Sequence, residues 1–127
     1  LLMALATQVG ADPFSVNGDA VVYDTVNSEV SEEIDFGHEE KLLEILKTNE
    51  SIRVLILNSE GGYLEAGYDI ADVVMDAELD THVDNVCESA CAIIFSAGKV
   101  RSLGLGGKNR FSFQLMDSRK YSRLLYL

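Results

Sequence analysis

Residues 52–62 read Ile52-Arg53-Val54-Leu55-Ile56-Leu57-Asn58-Ser59-Glu60-Gly61-Gly62, an apolar run over 52–57 followed by a polar turn that ends in two glycines. The run is nearly continuous, with Arg53 as its interruption, which is typical of a strand buried in a parallel sheet. Adjacent glycines permit positive φ and let backbone N–H groups face a ligand without a Cβ in the way. The run therefore predicts a buried strand. The glycines allow two interpretations. They contribute one donor of an oxyanion hole and a stretch of backbone that binds an extended substrate, or they form a tight turn into a helix.

Helical and strand patterns alternate on both sides of this run. Short loops between alternating helices and strands imply a parallel sheet with right-handed crossovers, so the sequence predicts an α/β fold in one domain. We expect a hairpin over Phe14–Val26 around Asn17-Gly18-Asp19, helices over His38–Lys47, Tyr63–Ala77 and Ser89–Ala97, and strands over Ile52–Leu57, Asp80–Val86, Val100–Leu105 and Arg110–Met116.

A second strand-to-helix turn is predicted at Cys87-Glu88-Ser89-Ala90-Cys91, between the apolar runs 81–86 and 90–97. A hydroxyl at this point meets the positive end of the helix dipole and unpaired backbone N–H groups, which suits a nucleophile whose attack leaves a negative oxygen. The structural alternative is a serine that caps the helix N-terminus. Ligands in such folds bind beyond the carboxyl ends of the strands, so both turns should open at the same edge.

The order and spacing of these segments resemble the Clp protease proteolytic subunit. Residues 52–62 are similar to that family's strand and N-S-x-G-G turn, and 87–91 with Ala97-Gly98-x-x-Arg101 are similar to its nucleophile segment. The resemblance covers about Val16 to Phe113. It implies the ClpP/crotonase fold, a spiral of β-β-α units with a mostly parallel sheet, in a single domain over 1–127 that is partial at its C-terminus. The C-x-S-A-C form resembles an exported bacterial group.

The resemblance also implies an activity and a site. It implies hydrolysis of peptide bonds in extended peptides or unfolded proteins. Ser89 matches the nucleophile, the backbone N–H groups of Gly62 and Ala90 match the oxyanion hole, and Gly61 with Gly62 matches the substrate rail. Neither a cofactor nor a metal is implied. The family commonly forms rings, so we expect a homo-oligomer.

The family's catalytic histidine has no counterpart at the matching position. An ungapped match puts Ser112 there and a two-residue insertion puts Gln114 there, and neither accepts a proton near neutral pH as imidazole does. His82 is expected ~15 Å or more from Ser89, at ~3.3 Å per strand residue. His38 is expected to have a structural or solvent-facing role, and Asp117 is a weak stand-in for the acidic triad member.

The two cysteines, Cys87 and Cys91, allow two interpretations. An oxidising compartment permits a disulfide. Regular helix geometry opposes it, because Cβ atoms four residues apart are ~5–6 Å apart and a disulfide needs ~3.8 Å, unless the helix start is bent. The alternative is a pair of buried thiols. A zinc site is not expected, because His38 and His82 are not at ligand spacing.

Composition limits the partners. The chain has 127 residues with 10 basic and 21 acidic side chains, a formal charge of −11. Such a charge repels phosphate backbones and argues against nucleic acid. No apolar run approaches the ~20 residues of a membrane span. Residues 1–6 are interpreted as the end of a signal peptide, because Ala4-Leu5-Ala6 fits a cleavage site. This predicts export, for example to the periplasm. An ordinary N-terminal element in a cytoplasmic protein is the alternative.

Two functions follow from the sequence. The first is a serine peptidase with Ser89 as nucleophile and a base supplied by a neighbouring subunit or by further chain. The second is a non-catalytic relative that binds peptides or assembles through the same groove, since Ser112 or Gln114 replaces the histidine. An oxyanion hole for an acyl-CoA thioester is disfavoured, because the sequence has no basic cluster for the CoA phosphates.

Overall fold

A computed structural model of the chain describes residues 12–29, 33–104 and 110–112. Its framework is a six-stranded, mostly parallel sheet with interleaved helices. In chain order the elements are β1 (Phe14–Asn17), β2 (Ala20–Asp24), α1 (His38–Thr48), β3 (Val54–Ser59), α2 (Leu64–Asp76), β4 (Asp80–Glu88), α3 (Ala90–Ser96), β5 (Arg101–Leu103) and β6 (Arg110–Ser112). The α/β class and the mostly parallel sheet are confirmed.

The sheet begins with the predicted hairpin. Strands β1 and β2 pair antiparallel from Phe14↔Tyr23 to Asn17↔Ala20, around a turn in which Gly18 has a φ of +64°. The order continues β2-β3-β4-β5 with parallel pairing throughout, and β6 pairs with β4. Parallel neighbours bring the carboxyl ends of β2, β3 and β4 to one edge of the sheet.

The core lies between the sheet and the helices. Every residue of α3 is buried, and α2 buries the face that carries Ile70, Ala71 and Val74. The apolar run predicts a strand buried on both faces, but the burial of β3 alternates: Leu55 and Leu57 are fully buried, while Val54, Ile56 and Asn58 are half-buried. The helices therefore cover one face of β3 more completely than the other, and the apolar composition of the strand does not reveal which.

Strand β3 lies two residues later in the chain than predicted. Its ladder with β2 runs from Ala20↔Val54 to Asp24↔Asn58. The polar end of the strand is therefore extended because it pairs with a neighbouring strand, and the apolar pattern alone does not predict it. The partner β4 extends through Cys87 and Glu88, and a bulge shifts the register from Leu57↔Val83 to Ser59↔Cys87. Bulges of this kind re-aim the chain next to functional sites.

The described residues cover some of the later predictions. The strand expected over Val100–Leu105 is β5, three residues long, and the strand expected from Arg110 is described as far as Ser112. Gln114, Asp117 and the apolar segment 124–127 lie outside the described residues, as do 1–6. In the portion of the chain that the structure describes, no helix has the length and apolarity needed to cross a bilayer.

Candidate active site

The two glycine- and serine-bearing turns lie side by side at the carboxyl edge of the sheet. Strands β3 and β4 are parallel neighbours, and their last pair is Ser59↔Cys87. The chain leaves β3 through Gly61 and Gly62 to enter α2, and leaves β4 through Ser89 to enter α3. The pairing register therefore brings together two turns that are far apart in the sequence.

Ser89 has a backbone conformation that is uncommon for a residue with a side chain. Its φ is +55° and its ψ is −121°, between the last residue of β4 and the first of α3. Such conformations cost about 1–3 kcal/mol and concentrate at functional sites. Ser89 occupies the position before the helix, yet its side chain makes no capping hydrogen bond. The capping alternative therefore does not describe this serine.

Gly61 lies so close to Ser89 that a side chain at this position would not fit without a shift of Ser89. A methyl group built on Gly61 would lie 2.9 Å from Ser89 Cβ, 3.5 Å from Ser89 Oγ and 3.0 Å from the carbonyl oxygen of Glu88. The φ of Gly61 is +111°, which favours glycine independently of the contact. Gly67, in the first turn of α2, permits a similar approach, because a methyl there would lie 3.0 Å from Ala90 Cβ.

The segment around Ile34 fixes the direction of the Gly61–Gly62 turn. The Ile34 N–H donates to the Gly61 carbonyl (2.8 Å), and the Tyr63 N–H donates to the Ile34 carbonyl (3.0 Å). A side chain on Gly62, whose φ is +153°, would overlap the Ile34 backbone. Because successive peptide groups of an extended segment point to opposite sides, the Gly62 N–H faces away from Ile34.

Two backbone donors of this region are unused within the described residues. The N–H groups of Gly62 and Ala90 have no hydrogen-bond acceptor there. Ala90 is the first residue of α3, where an N–H has no acceptor within its own helix. Backbone N–H groups without an acceptor are the kind of donor that an oxyanion hole requires, and one such donor contributes about 10²–10³ in rate.

A buried polar network, which was not predicted from the sequence, supports the glycine turn. Ser59 Oγ accepts hydrogen bonds from the Thr25 hydroxyl (2.7 Å) and the Gly61 N–H (3.1 Å), and both hydroxyl-bearing residues are buried. Asn58 accepts from the Val86 N–H (3.4 Å), beside the β4 bulge, and donates to Asp24 (3.2 Å). The signal that could have revealed this network is a pair of polar residues at the end of an apolar strand.

Cys87 and Cys91 form a disulfide, with sulfurs 2.05 Å apart. Cys87 is in β4 and Cys91 is in α3, so the cross-link spans the strand-to-helix turn rather than one turn of a regular helix. Both residues are fully buried. The sequence allows this disulfide only if the start of the helix is bent. The chain has this bend at Ser89.

The two histidines have partners away from Ser89. His38 begins α1 and is buried, and its Nδ1 accepts hydrogen bonds from the Tyr23 hydroxyl (2.7 Å) and the Asp35 N–H (3.3 Å). His82 lies early in β4 and bonds to Ser102 (2.7 Å) and Asp84 (2.8 Å). Burial is the largest cause of a lowered pKa for His38.

No side chain of the described residues forms a hydrogen bond with Ser89 Oγ. In the backbone register of β6, Ser112 is the partner of Glu88, the residue before Ser89. Gln114, the second position considered for a base, lies outside the described residues. Within the described residues, no group of three or more His, Cys, Asp or Glu could hold a metal ion.

An exposed aromatic pair lies beside the glycine turn. The Phe36 and Tyr63 rings have centroids 5.3 Å apart, with the two residues 59% and 51% exposed. Tyr63 directly follows Gly62, and Phe36 lies two residues beyond Ile34. The pair therefore forms a small exposed apolar surface next to Gly62.

A family model described as Clp protease matches residues 17–103. The matched range includes both turns and ends before Ser112. No curated protein and no solved structure matches the chain.

Proposed function

Because the chain belongs to the Clp protease family, we propose that it is a serine peptidase that cleaves extended peptides. The observation that carries this proposal is the conformation of Ser89, at positive φ and in contact range of Gly61. A serine that needed only to begin a helix would adopt an ordinary extended conformation and bond to the first turn. The observed bend instead leaves the hydroxyl free to face a ligand.

The proposed reaction uses the two turns together. Ser89 Oγ attacks the carbonyl carbon of the peptide bond while its proton passes to a base, and the negative oxygen is held by the N–H groups of Gly62 and Ala90. The C–N bond breaks as the amine takes up the proton, which leaves an acyl ester on Ser89. Water then hydrolyses the ester. The base comes from a neighbouring subunit or from residues outside those described.

Substrate binding is assigned to the glycine turn and its rim. The Gly61 N–H and carbonyl already bond to Ser59 Oγ and to the Ile34 N–H, so in this proposal Gly61 gives the turn its shape and the Gly62 carbonyl accepts a hydrogen bond from the extended peptide. Phe36 and Tyr63 offer apolar surface to its side chains. We propose peptide or unfolded-protein substrates for this reason.

A fluorophosphonate probe tests the nucleophile directly. Such probes phosphonylate a serine that is activated by its surroundings. We expect labelling of the wild-type protein and none of Ser89→Ala. If the wild type stays unlabelled in a buffer where a known serine hydrolase reacts, the peptidase proposal fails.

A non-catalytic, peptide-binding relative is the second candidate, and the register of β6 favours it. Ser112 is paired with Glu88 and matches the position of the family's catalytic histidine. A serine at this position is a poor general base for the Ser89 hydroxyl. We propose to introduce Ser112→His and Gln114→His separately and to measure cleavage of an unstructured peptide. A gain that disappears with Ser89→Ala supports an inactivated peptidase site. Strong cleavage by the unmodified protein contradicts the non-catalytic candidate.

Export and self-association complete the proposal. The buried Cys87–Cys91 disulfide is of the kind found in oxidising compartments, which supports an exported, for example periplasmic, location and the exported C-x-S-A-C group. To test this location, cells are treated with an alkylating reagent without a reductant, and the isolated protein is analysed by mass spectrometry. If Cys87 and Cys91 are both alkylated, they were free thiols in the cell, which would count against export. Membership of the family supports a homo-oligomer.

A further inference from the structure

The Cys87–Cys91 disulfide encloses the proposed nucleophile in a short covalent ring. Cys87 lies in β4, Cys91 lies in the first turn of α3, and both are fully buried. Between them are Glu88, Ser89 at its positive φ, and Ala90, whose N–H is one of the proposed oxyanion donors. The backbone torsions that set the directions of the Ser89 hydroxyl and the Ala90 N–H therefore lie within the ring.

The cross-link is incompatible with either regular conformation of this segment. If β4 continued through residue 91, four residues at ~3.3 Å would separate the two Cα atoms by ~13 Å. They are 5.1 Å apart. If α3 began at residue 87, the two Cβ atoms would be ~5–6 Å apart, beyond the ~3.8 Å that a disulfide needs. A sharp bend between Cys87 and Cys91 satisfies the cross-link.

Noncovalent contacts restrain the same turn in a different way. Gly61 lies against Ser89, and Gly67 lies against Ala90. These contacts limit space without specifying torsions. The Ser89 carbonyl accepts a hydrogen bond from the Ala92 N–H (2.9 Å), which orients the peptide group after Ser89, whereas its side chain makes no capping bond. A serine at positive φ persists only where its surroundings over-determine it.

We infer that the Cys87–Cys91 disulfide is a positioning element, which holds Ser89 in the bent conformation that aims its hydroxyl at the Gly61–Gly62 turn. Its effect is on the geometry of the nucleophile and not only on global stability. The catalytic consequence rests on the proposed role of Ser89, whereas the conformational consequence does not.

The experiment compares the wild-type protein with Cys87→Ala/Cys91→Ala by two measurements. Crystal structures give the φ of Ser89, and a fluorophosphonate probe gives the rate of Ser89 phosphonylation at a temperature where both proteins are folded. We expect Ser89 to leave the positive-φ region in the variant and the labelling rate to fall by roughly tenfold or more. Ile93→Val is the matched control, because it removes a methylene from the same buried helix outside the ring. It should lower Tm and leave labelling unchanged.

The outcomes separate this inference from the peptidase proposal. A variant that keeps Ser89 at positive φ, or that relaxes and still labels at the wild-type rate, overturns the inference. An unlabelled wild-type protein contradicts the peptidase proposal, while the φ comparison still decides whether the disulfide holds the turn. If the alanine variant does not fold, Cys87→Ser/Cys91→Ser, whose side chains refill most of the space, gives the same comparison.

Discussion

Gly61 combines an unusual backbone conformation with a close contact to the proposed nucleophile. Its φ is +111°, and an added methyl would lie 2.9 Å from Ser89 Cβ. We predict that Gly61→Ala loses about 1–2 kcal/mol of stability from the backbone conformation alone, plus a further loss because Ser89 has to move. Phosphonylation of Ser89 should fall at least tenfold, measured on folded protein.

Gly37→Ala is the control for the backbone effect. Gly37 has a φ of +94°, and an added methyl would meet nothing within 4 Å. This variant should lose a similar amount, about 1–2 kcal/mol, in denaturant unfolding while Ser89 labels at the wild-type rate. Equal labelling of the Gly61 and Gly37 variants would show that contact with Ser89 does not matter.

His38 predicts a pH dependence of stability. Burial, the largest cause, lowers its pKa, although the charges on Asp35 and Asp12 act in the opposite direction. The unfolded chain therefore binds the proton more readily than the folded protein does. The stabilising difference is complete above the unfolded pKa of about 6.5 and is lost progressively as the pH falls toward the folded value. One proton gives a slope of at most about 1.4 kcal/mol per pH unit.

Denaturant unfolding of wild type and His38→Gln from about pH 7.5 to about pH 5.5, a range that spans the unfolded pKa of histidine, measures this slope. The wild type should lose stability toward low pH more steeply than the variant, since glutamine does not titrate. The variant should be less stable at the upper end of the range, because the glutamine amide lies nearer the position of Nε2 than of Nδ1 and the buried Tyr23 hydroxyl loses the acceptor to which it is aligned. Parallel curves for the two proteins would exclude His38 as the source.

At the scale of elements, Ser59 at the end of β3 connects the residue that follows β2 with the glycine turn. Its Oγ accepts from the Thr25 hydroxyl and the Gly61 N–H inside the protein. Ser59→Ala leaves both donors buried without an acceptor, which costs about 1–3 kcal/mol. Because the Thr25 hydroxyl is one of these donors, Thr25→Val/Ser59→Ala should cost less than the sum of the two single variants. Denaturant midpoints of the four proteins measure the coupling.

Ser96→Ala is a matched control for this network. Ser96 is as buried as Ser59, yet its hydroxyl has no hydrogen-bond partner among the described residues. The same chemical change should therefore be neutral or stabilising. A loss as large as that of Ser59→Ala would mean that burial of any hydroxyl, and not the network, sets the cost.

Whether a segment is a helix or a strand was predictable, because this depends on local sequence patterns. The residues at which helices and strands end were harder to predict. Apolar runs and glycine positions identified the hairpin, α1, α2 and β4 within one or two residues. The end of β3 was missed because Asn58 and Ser59 are extended by pairing with β2 and β4, a tertiary effect. The β4 bulge beyond Val83 was missed for the same reason.

The candidate site was predictable in its members and not in its geometry. Chain order indicated that the turns after β3 and β4 would share an edge, which the register Ser59↔Cys87 confirms. The positive φ of Ser89 had no sequence signal, because serine gives no local preference for it. The sequence leaves the disulfide open because the pairing depends on whether Cys87 and Cys91 share one regular helix. In the structure Cys87 belongs to β4, and the chain bends at Ser89 before α3 begins at Ala90.

At the scale of the whole molecule, a formal charge of −11 should make self-association depend on salt. Copies of an acidic chain repel one another, and this repulsion weakens as the Debye length shortens from ~30 Å at ~0.01 M to ~8 Å at ~0.15 M and ~3 Å at ~1 M salt. Apolar side chains such as Val100 and Leu103, 60% and 46% exposed, provide surface that an interface could cover. We predict that light scattering after size exclusion gives a larger mass at about 0.5 M than at about 0.02 M salt, and that the mass rises with protein concentration. The mass of a single chain at every salt and protein concentration would contradict the oligomer, and a mass that falls with salt would mean that opposite charges, not apolar surface, join the copies.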